Sequence, residues 1–308
     1  MGWQKNRILR GNIINILITG ATGFIGMHLI AKFNNHNITI LTRNKQKAEN
    51  LIKNDKIKIL NNLEDITTDT KIDVIINLAG AKISKRWSNS YKSTLITSRT
   101  NTSQSIVNLV NRLSTKPKKI ISASAIGYYG NQAGDITEES KPHQCFTNDL
   151  CSQWEKTISQ CEGTNIIIIR LGVVLGLNQG ILKETTPIFK LGLGGKIASG
   201  EQYLSWVHIF DVVEGIAFLI ENEAATGVYN LTAPQPVTNS QWTNCLAKTL
   251  QRPAILPLPK FLIKLVFGEM GLELLANGVK VLPKRLTLAG FSFKFNTLEK
   301  ALLNIYKD

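Results

Sequence analysis

The feature that most constrains the fold is a run of three glycines placed directly after the first apolar segment. Thr19-Gly20-Ala21-Thr22-Gly23-Phe24-Ile25-Gly26 follows the apolar stretch Ile14 to Thr19 and opens an amphipathic stretch. Gly20 permits a tight turn, Gly23 lets backbone N–H groups approach an anion, and Gly26 allows a helix to pack closely on a strand. The segment predicts strand, turn and helix, with a pyrophosphate held at the helix N-terminus.

Further short apolar runs continue this alternation along the chain. Between most of them lie stretches long enough for crossover helices, as a buried parallel sheet requires. The pattern predicts an α/β fold with a doubly wound parallel Rossmann sheet. The runs are Ile14 to Thr19, Ile38 to Thr42, Ile57 to Leu60, Val74 to Leu78, Lys119 to Ala123 and Ile166 to Leu171.

Changes in glycine and proline content predict the domain boundaries. Residues 1–12 show no periodicity and are predicted to be an N-terminal extension. Residues 13–176 and 206–227 are predicted to form the dinucleotide-binding domain. The glycine-rich residues 177–205 and the proline-punctuated residues 228–308 are predicted to form a smaller C-terminal substrate lobe, in which the alternation Phe291 to Phe295 predicts a strand.

Composition excludes several classes of protein. Of 308 residues, 43% are hydrophobic and 19% charged, which is ordinary globular usage and excludes wholesale disorder. No run of about 18 apolar residues is present, so no membrane span is expected. The four cysteines lack metal-ligand spacing and a Cys-x-x-Cys pair, which predicts no metal site and favours a reducing, cytoplasmic location.

The net charge of +14 indicates an anionic partner but does not identify it. A phosphorylated small molecule, a nucleic acid and an acidic surface all remain compatible with it. Nucleic-acid binding is disfavoured because no basic stripe interleaved with aromatic residues occurs. Basic residues near the glycine-rich segment and the tail are candidates to border a ligand cleft: Lys183, Lys190, Lys196, Lys280, Lys284 and Arg285.

The end of the second predicted strand indicates which dinucleotide would bind. Folds that prefer NAD usually place a carboxylate there to hold the ribose 2′-hydroxyl. This chain has Arg43 and Lys45 there, and no carboxylate precedes Glu49. A guanidinium at that place suits a 2′-phosphate, so NADP(H) is favoured over NAD(H), although a basic surface turn would give the same sequence.

Three later segments extend the predicted cofactor site. Leu78, Ala79 and Gly80 end a strand in small residues that let the backbone lie against a cofactor. Ser122 to Gly130 follows another strand and resembles the serine-bearing turn of extended short-chain dehydrogenases, and Arg170 to Gly176, which includes Leu171, resembles their next strand end.

The resemblance becomes more specific along the rest of the chain. It is carried by Ala79-Gly80-Ala81-Lys82-Ile83, Arg86-Trp87, Ser98-Arg99, Thr102, Trp154-Glu155, Ser205-Trp206-Val207-His208 and the tail Gly290-Phe291-Ser292-Phe293. From about Asn15 to the C-terminus the sequence resembles the epimerase-family proteins related to the nucleoside-diphosphate-sugar epimerases, including the bacterial YfcH type. The tail resembles that group's own C-terminal domain.

One departure from the superfamily's pattern puts its standard chemistry in doubt. Active short-chain dehydrogenases carry a Tyr-x-x-x-Lys helix, in which the ammonium lowers the pKa of the tyrosine that exchanges a proton with substrate. No tyrosine here has a lysine four residues later, and the matching helix, Thr147 to Glu155, has Thr147 and Cys151 at those places. We expect Cys151 to be a buried thiol and not a nucleophile.

The remaining candidates for chemistry are few. Ser124 is a candidate donor to a substrate oxygen, and Tyr129 or Tyr128 a candidate for the missing acid, although each could instead be structural. Arg86 is a candidate to contact substrate or to fix the interface between lobes, whereas Lys82 is expected to be a solvated loop residue. His208 and Asp211 fall where a strand meets a helix, where a structural histidine and a helix-capping aspartate are expected.

Two functions fit these features. The first is an NADP(H)-binding oxidoreductase or epimerase-like enzyme that acts on a small, anionic substrate held between the two lobes. The second is an NADPH-responsive binding or regulatory protein without turnover. A third, an RNA-associated protein, rests on charge alone.

Overall fold

A seven-stranded parallel sheet forms the centre of the protein. The computed structural model describes residues 13–307; the predicted extension, residues 1–12, lies outside them. The strands are β1 (Asn15–Thr19), β2 (Asn37–Leu41), β3 (Lys58–Leu60), β4 (Val74–Asn77), β5 (Lys119–Ala125), β7 (Asn165–Leu171) and β11 (Gly227–Leu231). Their order across the sheet is β11-β7-β5-β4-β1-β2-β3, which confirms the doubly wound α/β fold.

Six further short strands lie outside this sheet and pair in twos. They are β6 (Asp135–Ile136) with β13 (Lys280–Val281), β8 (Val173–Leu175) with β10 (Trp206–His208), and β9 (Tyr203–Leu204) with β12 (Val237–Thr238). All three pairs join segments more than 30 residues apart, and β6–β13 and β9–β12 attach the C-terminal part of the chain to earlier loops.

Ten α-helices of the described residues surround the strands. They are α1 (Phe24–Lys32), α2 (Lys45–Ile52), α3 (Asn89–Arg112), α4 (Phe146–Ile158), α5 (Gly180–Lys190), α6 (Ile209–Glu221), α7 (Asn239–Leu250), α8 (Lys260–Leu274), α9 (Lys284–Leu288) and α10 (Leu298–Tyr306). Buried side chains of α1 and α6 pack on one face of the sheet, and those of α3 on the other, where α4 contacts α3. Both faces are covered, which is why consecutive strand residues are apolar and buried, as at residues 16–18 and 74–76.

A separate apolar cluster organises the C-terminal part of the chain. It is built around Trp206, Trp242 and Phe295 and joins residues of α5, α7 and α10. Because the cluster also contains Leu175 and Trp206, it joins residues of both predicted domains.

Two details of the predicted second lobe differ from the structure. The strand β11 pairs with β7 in the main sheet, so residues 228–231 belong to that sheet and not to the lobe. The alternation Phe291 to Phe295 does not form a strand. Its rings pack on two clusters, and the N–H groups of Lys294 and Phe295 donate to the Asp211 carboxylate. A carboxylate therefore replaces the neighbouring strand that the pattern would need.

The strand order fixes where a ligand can bind. From β1 the chain proceeds outward through β2 and β3, and then returns to β4 on the other side of β1. This reversal opens a crevice at the carboxyl ends of β1 and β4, which is the usual ligand site of such sheets.

Candidate functional site

The turn between β1 and α1, which we call the glycine turn (residues 20–26), requires glycine at two positions because no side chain fits there. Gly20 has φ +70°, and a Cβ there would lie 2.8 Å from the backbone carbonyl of Leu78. A Cβ on Gly26 would lie 2.5 Å from the carbonyl oxygen of Ala21. Because both contacts are with backbone, which cannot yield, any side chain at these two positions would open the turn.

The glycine turn and the loop after β4 line a cavity of about 280 Å³. Of the residues predicted to bind cofactor, the structure brings together Gly20, Gly23, Phe24, Ile25, Gly26 and Leu78 on its wall. Val173 and Val174 of β8, which lie within the segment Arg170 to Gly176, also line the cavity, together with Gly180 and Ile181 of α5. Gly180 and Ile181 were not predicted, because only the fold brings α5 to the glycine turn.

The start of α1 is suited to an anion. Its N-cap residue, Gly23, makes no side-chain capping bond, and the first turn carries no acidic residue. The first amides of the helix therefore have no intrahelical or side-chain acceptor, and the positive end of the helix dipole is not neutralised. A pyrophosphate group fits this arrangement.

The other predicted cofactor residues lie around the same edge but outside the cavity wall. Thr22 is half-buried beside the exposed Gly23, Ala79 and Gly80 follow β4, and Leu171 ends β7. Arg43 is exposed two residues after β2. Lys45 lies 3.9 Å from Glu49, whereas no ion pair involves Arg43 within residues 13–307.

Beneath the carboxyl end of β5 lies a buried polar group that we call the Ser124 cluster (Ser124, Tyr129, Glu155, Arg170 and Asn230). Ser124 is 2% exposed and its hydroxyl donates to Glu155 Oε1 at 2.6 Å. Arg170 donates to both carboxylate oxygens, at 2.9 and 2.7 Å. Such a bidentate buried pair is stable only because each charge is fully matched.

The same cluster accounts for Tyr129. Its ring is fully buried, and its hydroxyl accepts from Arg170 at 3.0 Å and donates to Asn230 Oδ1 at 2.7 Å. Burial raises the pKa of Tyr129, and the Arg170 charge offsets only part of that effect. The neighbouring Tyr128 ring stacks 3.3 Å from the Arg170 guanidinium carbon. This geometry gives Tyr129 a structural role and no free proton to exchange.

The helix that would carry a Tyr-x-x-x-Lys pair offers no proton exchanger. Cys151 is 1% exposed, and burial raises its pKa to about 11, so it stays a thiol. Thr147 lies at the start of α4, where its backbone N–H donates to Glu273 of α8 at 3.2 Å. The expectation that Cys151 is a buried apolar side chain agrees with this environment.

Arg86 connects the loop after β4 to α8. Its guanidinium donates to the carbonyl oxygens of Leu265 and Val266. These carbonyls precede Gly268, where α8 is broken by a non-helical residue with φ +62°, so Arg86 supplies donors for carbonyls that the break would leave unbonded. Lys82 is exposed and pairs with Glu184 at 3.0 Å.

His208 and Asp211 have structural roles, but not quite those expected. The residue that caps α6 is His208, whose Nδ1 accepts from the Phe210 N–H. Asp211 instead holds the tail through two backbone bonds. Burial lowers the pKa of His208 to about 4 and raises that of Asp211 to about 6.

The basic residues of the tail do not form a free cationic border. Lys280 and Lys284 pair with Asp135 and Glu139, each at 2.7 Å. Arg285 donates to two backbone carbonyls. Lys196 lines a second cavity of about 270 Å³ beside α7, away from the glycine turn.

Residues 13–307 contain no group of three His, Cys, Asp or Glu side chains that could hold a metal ion. Within the same range, no helix has the length and apolar character needed to cross a membrane.

A doubly wound sheet with a glycine turn at its crevice defines a dinucleotide-binding α/β protein. Sequence comparison places it more narrowly. Residues 16–232 match the NAD dependent epimerase/dehydratase family, and residues 258–305 match a domain of unknown function, DUF1731. The chain belongs to the NAD dependent epimerase/dehydratase family.

Relatives resemble the chain over nearly its full length. The epimerase family protein SA0724 of Staphylococcus aureus (strain N315) is 38% identical over 303 residues, which cover 95% of this chain and 99% of that protein. The chloroplastic SDR39U1 homolog of Arabidopsis thaliana, also an epimerase family protein, is 35% identical over 298 residues, covering 94% and 86%.

Solved structures share the fold. The human epimerase family protein SDR39U1 (isoform 2), crystallised with NADPH, superposes with a TM-score of 0.87 and 28% identity, covering 96% of this chain and all of that one. A nucleoside-diphosphate sugar epimerase from Corynebacterium glutamicum superposes with a TM-score of 0.76 and 25% identity, covering 96% and 59%.

Proposed function

We propose that the protein is an NADP(H)-binding oxidoreductase or epimerase-like enzyme that acts on a small, anionic substrate. The observation that carries this proposal is the glycine turn at the sheet crevice, with Arg43 exposed where NAD-binding folds place an acid. The NADPH bound to human SDR39U1 supports it. The substrate would lie between the sheet and the C-terminal lobe. We also propose a cytoplasmic location, which agrees with four free cysteines.

Different residues of the chain would bind different parts of the dinucleotide. Backbone N–H groups at the start of α1 hold the pyrophosphate, and Arg43 holds the 2′-phosphate. Leu78, Ala79 and Gly80 let the cofactor lie against the backbone after β4. When bound, the nicotinamide would accept or supply a hydride. Ser124 can accept a hydrogen bond from a ligand, but its own proton is committed to Glu155.

Calorimetric titration with NADPH and NADH tests the cofactor assignment. NADPH should bind more tightly, and Arg43→Ala should narrow the difference by about 1 to 3 kcal/mol, the value of a hydrogen bond to a charged group. Lys47→Ala removes another exposed cation, in the first turn of α2, and should leave the difference in affinity between NADPH and NADH unchanged. Equal affinities of the unmodified protein for NADPH and NADH would refute the preference.

The second candidate is an NADPH-responsive binding protein without turnover. The observation that favours it is the state of the Ser124 cluster, where the serine and tyrosine hydroxyl protons are both already donated. Two assays together separate the two functions: oxidation of NADPH, followed by absorbance with a panel of carbonyl compounds, and chromatography of a panel of sugar nucleotides, because an epimerase converts its substrate without net oxidation of cofactor. Turnover of any panel member identifies an enzyme. Tight NADPH binding with no turnover across the panel favours the binding protein.

A further inference from the structure

Arg99 of α3 is a buried cation without a matching anion. It is 9% exposed, and its guanidinium donates to two backbone carbonyl oxygens, Leu95 at 2.8 Å and Ala81 at 3.2 Å. Its Nε has no acceptor, and no carboxylate within residues 13–307 forms an ion pair with it. Burial lowers the pKa of Arg99, but a guanidinium still remains protonated in proteins.

A permanent charge in such surroundings is costly unless something compensates for it. Arg170, the other buried arginine of this edge, shows the ordinary solution, since Glu155 binds it through both oxygens. Arg99 has only carbonyl dipoles and the face of Trp154, 5.0 Å from the guanidinium carbon to the ring centroid. The positive potential of Arg99 is therefore not cancelled within the described chain.

The position of Arg99 connects this charge to the candidate site. A Cβ on Gly80 would lie 2.9 Å from the guanidinium carbon, so the guanidinium lies directly under the exposed Gly80 backbone. The Trp154 ring over which Arg99 lies belongs to α4, the helix on which active relatives carry lysine at the place of Cys151. In doubly wound sheets the second mononucleotide half binds on the β4 and β5 side of the crevice, which is the side where Arg99 lies.

We propose that Arg99 supplies, from α3, the fixed positive charge that α4 lacks at the place of Cys151, and that this charge makes the protein bind reduced cofactor more tightly than oxidised cofactor. The physical reason is that the reduced nicotinamide ring is neutral whereas the oxidised ring is cationic. A nearby cation raises the free energy of the oxidised form only. The inference rests on the proposed dinucleotide site.

The test is the ratio of the dissociation constants for NADP⁺ and NADPH, measured by calorimetry on the full chain. The ratio cancels contacts that both forms share, so a purely structural loosening of the loop changes both constants and leaves the ratio constant. The wild-type ratio should lie well above one. Arg99→Gln should lower it about tenfold, the size of effect expected of one unpaired charge in a partly desolvated site. Arg99→Lys should largely restore it.

Arg112 provides a matched control. It lies on the same helix and also donates to two backbone carbonyl oxygens, those of Leu63 and Ile66, but at the other end of α3. Arg112→Gln removes the same net charge and should leave the ratio unchanged, which excludes an effect of overall charge. Arg99→Met, which keeps an apolar stem against Trp154, provides a second neutral variant if Arg99→Gln does not fold.

Each outcome is decisive. A wild-type ratio at or below one, or a ratio that is the same in wild type and in the neutral variants, overturns the role of Arg99 while leaving dinucleotide binding intact. If neither NADPH nor NADP⁺ binds, the proposed function fails and the role of Arg99 fails with it. A ratio that falls in Arg99→Gln or Arg99→Met but not in Arg112→Gln supports the proposal.

Discussion

The glycine turn and the Ser124 cluster lie at the same edge of the sheet but use their residues in opposite ways. The glycine turn leaves backbone N–H groups without side-chain partners at the start of α1. In the Ser124 cluster, by contrast, each hydroxyl proton and both carboxylate oxygens are bonded within the protein. Binding of a dinucleotide needs only backbone shape, whereas proton transfer needs a free side-chain group. The comparison therefore explains how the chain can keep a cofactor site while losing the standard acid–base pair.

The largest effect should come from restoring a lysine on α4. Cys151→Lys would bury an ammonium next to Arg99, and we expect it to lower the free energy of unfolding by about 4 kcal/mol or more, from the desolvation of a buried lysine and the repulsion of like charges. Urea denaturation measures the loss. Cys151→Met, which is similar in length but neutral, should cost much less.

Combining Cys151→Lys with Arg99→Gln tests how much of the lost stability comes from repulsion between the new ammonium and Arg99, because the double variant lacks the Arg99 charge. The double variant should be less destabilised than the sum of the two single changes. Additive costs would show that the two positions do not interact, and would weaken the contrast between the chain and its Tyr-x-x-x-Lys relatives.

The next largest effect concerns the Ser124 cluster itself. Glu155→Gln removes the only carboxylate that matches Arg170 within the described residues, and we expect a loss of about 3 to 5 kcal/mol in stability. Glu184→Gln breaks an exposed pair with Lys82 and should cost about 1 kcal/mol or less. Similar losses for both variants in urea denaturation would contradict the view that the cluster is structural.

A substitution in the glycine turn should have a smaller effect, and we expect it on the affinity for NADPH and not on the stability of the fold. Gly20→Ala places a Cβ 2.8 Å from the Leu78 carbonyl and should weaken NADPH binding about 100-fold or more. Gly134→Ala is the matched control, since Gly134 also has positive φ but nothing within 4 Å of its Cβ. Calorimetry should show unchanged affinity in that control, and an unaffected Gly20→Ala variant would contradict the proposed site.

The smallest effect tests whether Ser124 serves the fold or the ligand. Ser124→Ala should lower stability by about 1.5 to 3 kcal/mol, the value of a hydrogen bond to a charged group, and leave NADPH affinity unchanged. Ser114→Ala removes an exposed hydroxyl bonded to Asp69 and should have a smaller effect. A Ser124→Ala variant of normal stability but weakened NADPH binding would show that Ser124 contacts the ligand and does not stabilise the fold.

Local sequence determined the parts of the protein that depend on neighbouring residues. The glycine spacing and the apolar runs sufficed for β1, the turn, α1 and five further sheet strands, because strand burial and a tight turn are properties of a few consecutive residues. The strand predicted from the alternation Phe291 to Phe295 was wrong, because these rings pack on two separate apolar clusters and not on a sheet. Whether an alternating segment becomes a strand depends on a free partner edge, which its own residues do not encode.

Tertiary structure alone decided what the polar residues do. From the sequence, Ser124 was predicted to donate to a substrate oxygen. Only the fold brings Glu155 within hydrogen-bond distance of both Ser124 and Arg170, and the Ser124 proton is then donated to Glu155. The sequence contained Arg99 without any sign of burial or of Gly80 above it. The physical reason is that a side chain's charge and hydrogen bonds are set by groups from other strands and helices, at separations of 15 to 101 residues in this cluster, whereas backbone shape is set locally.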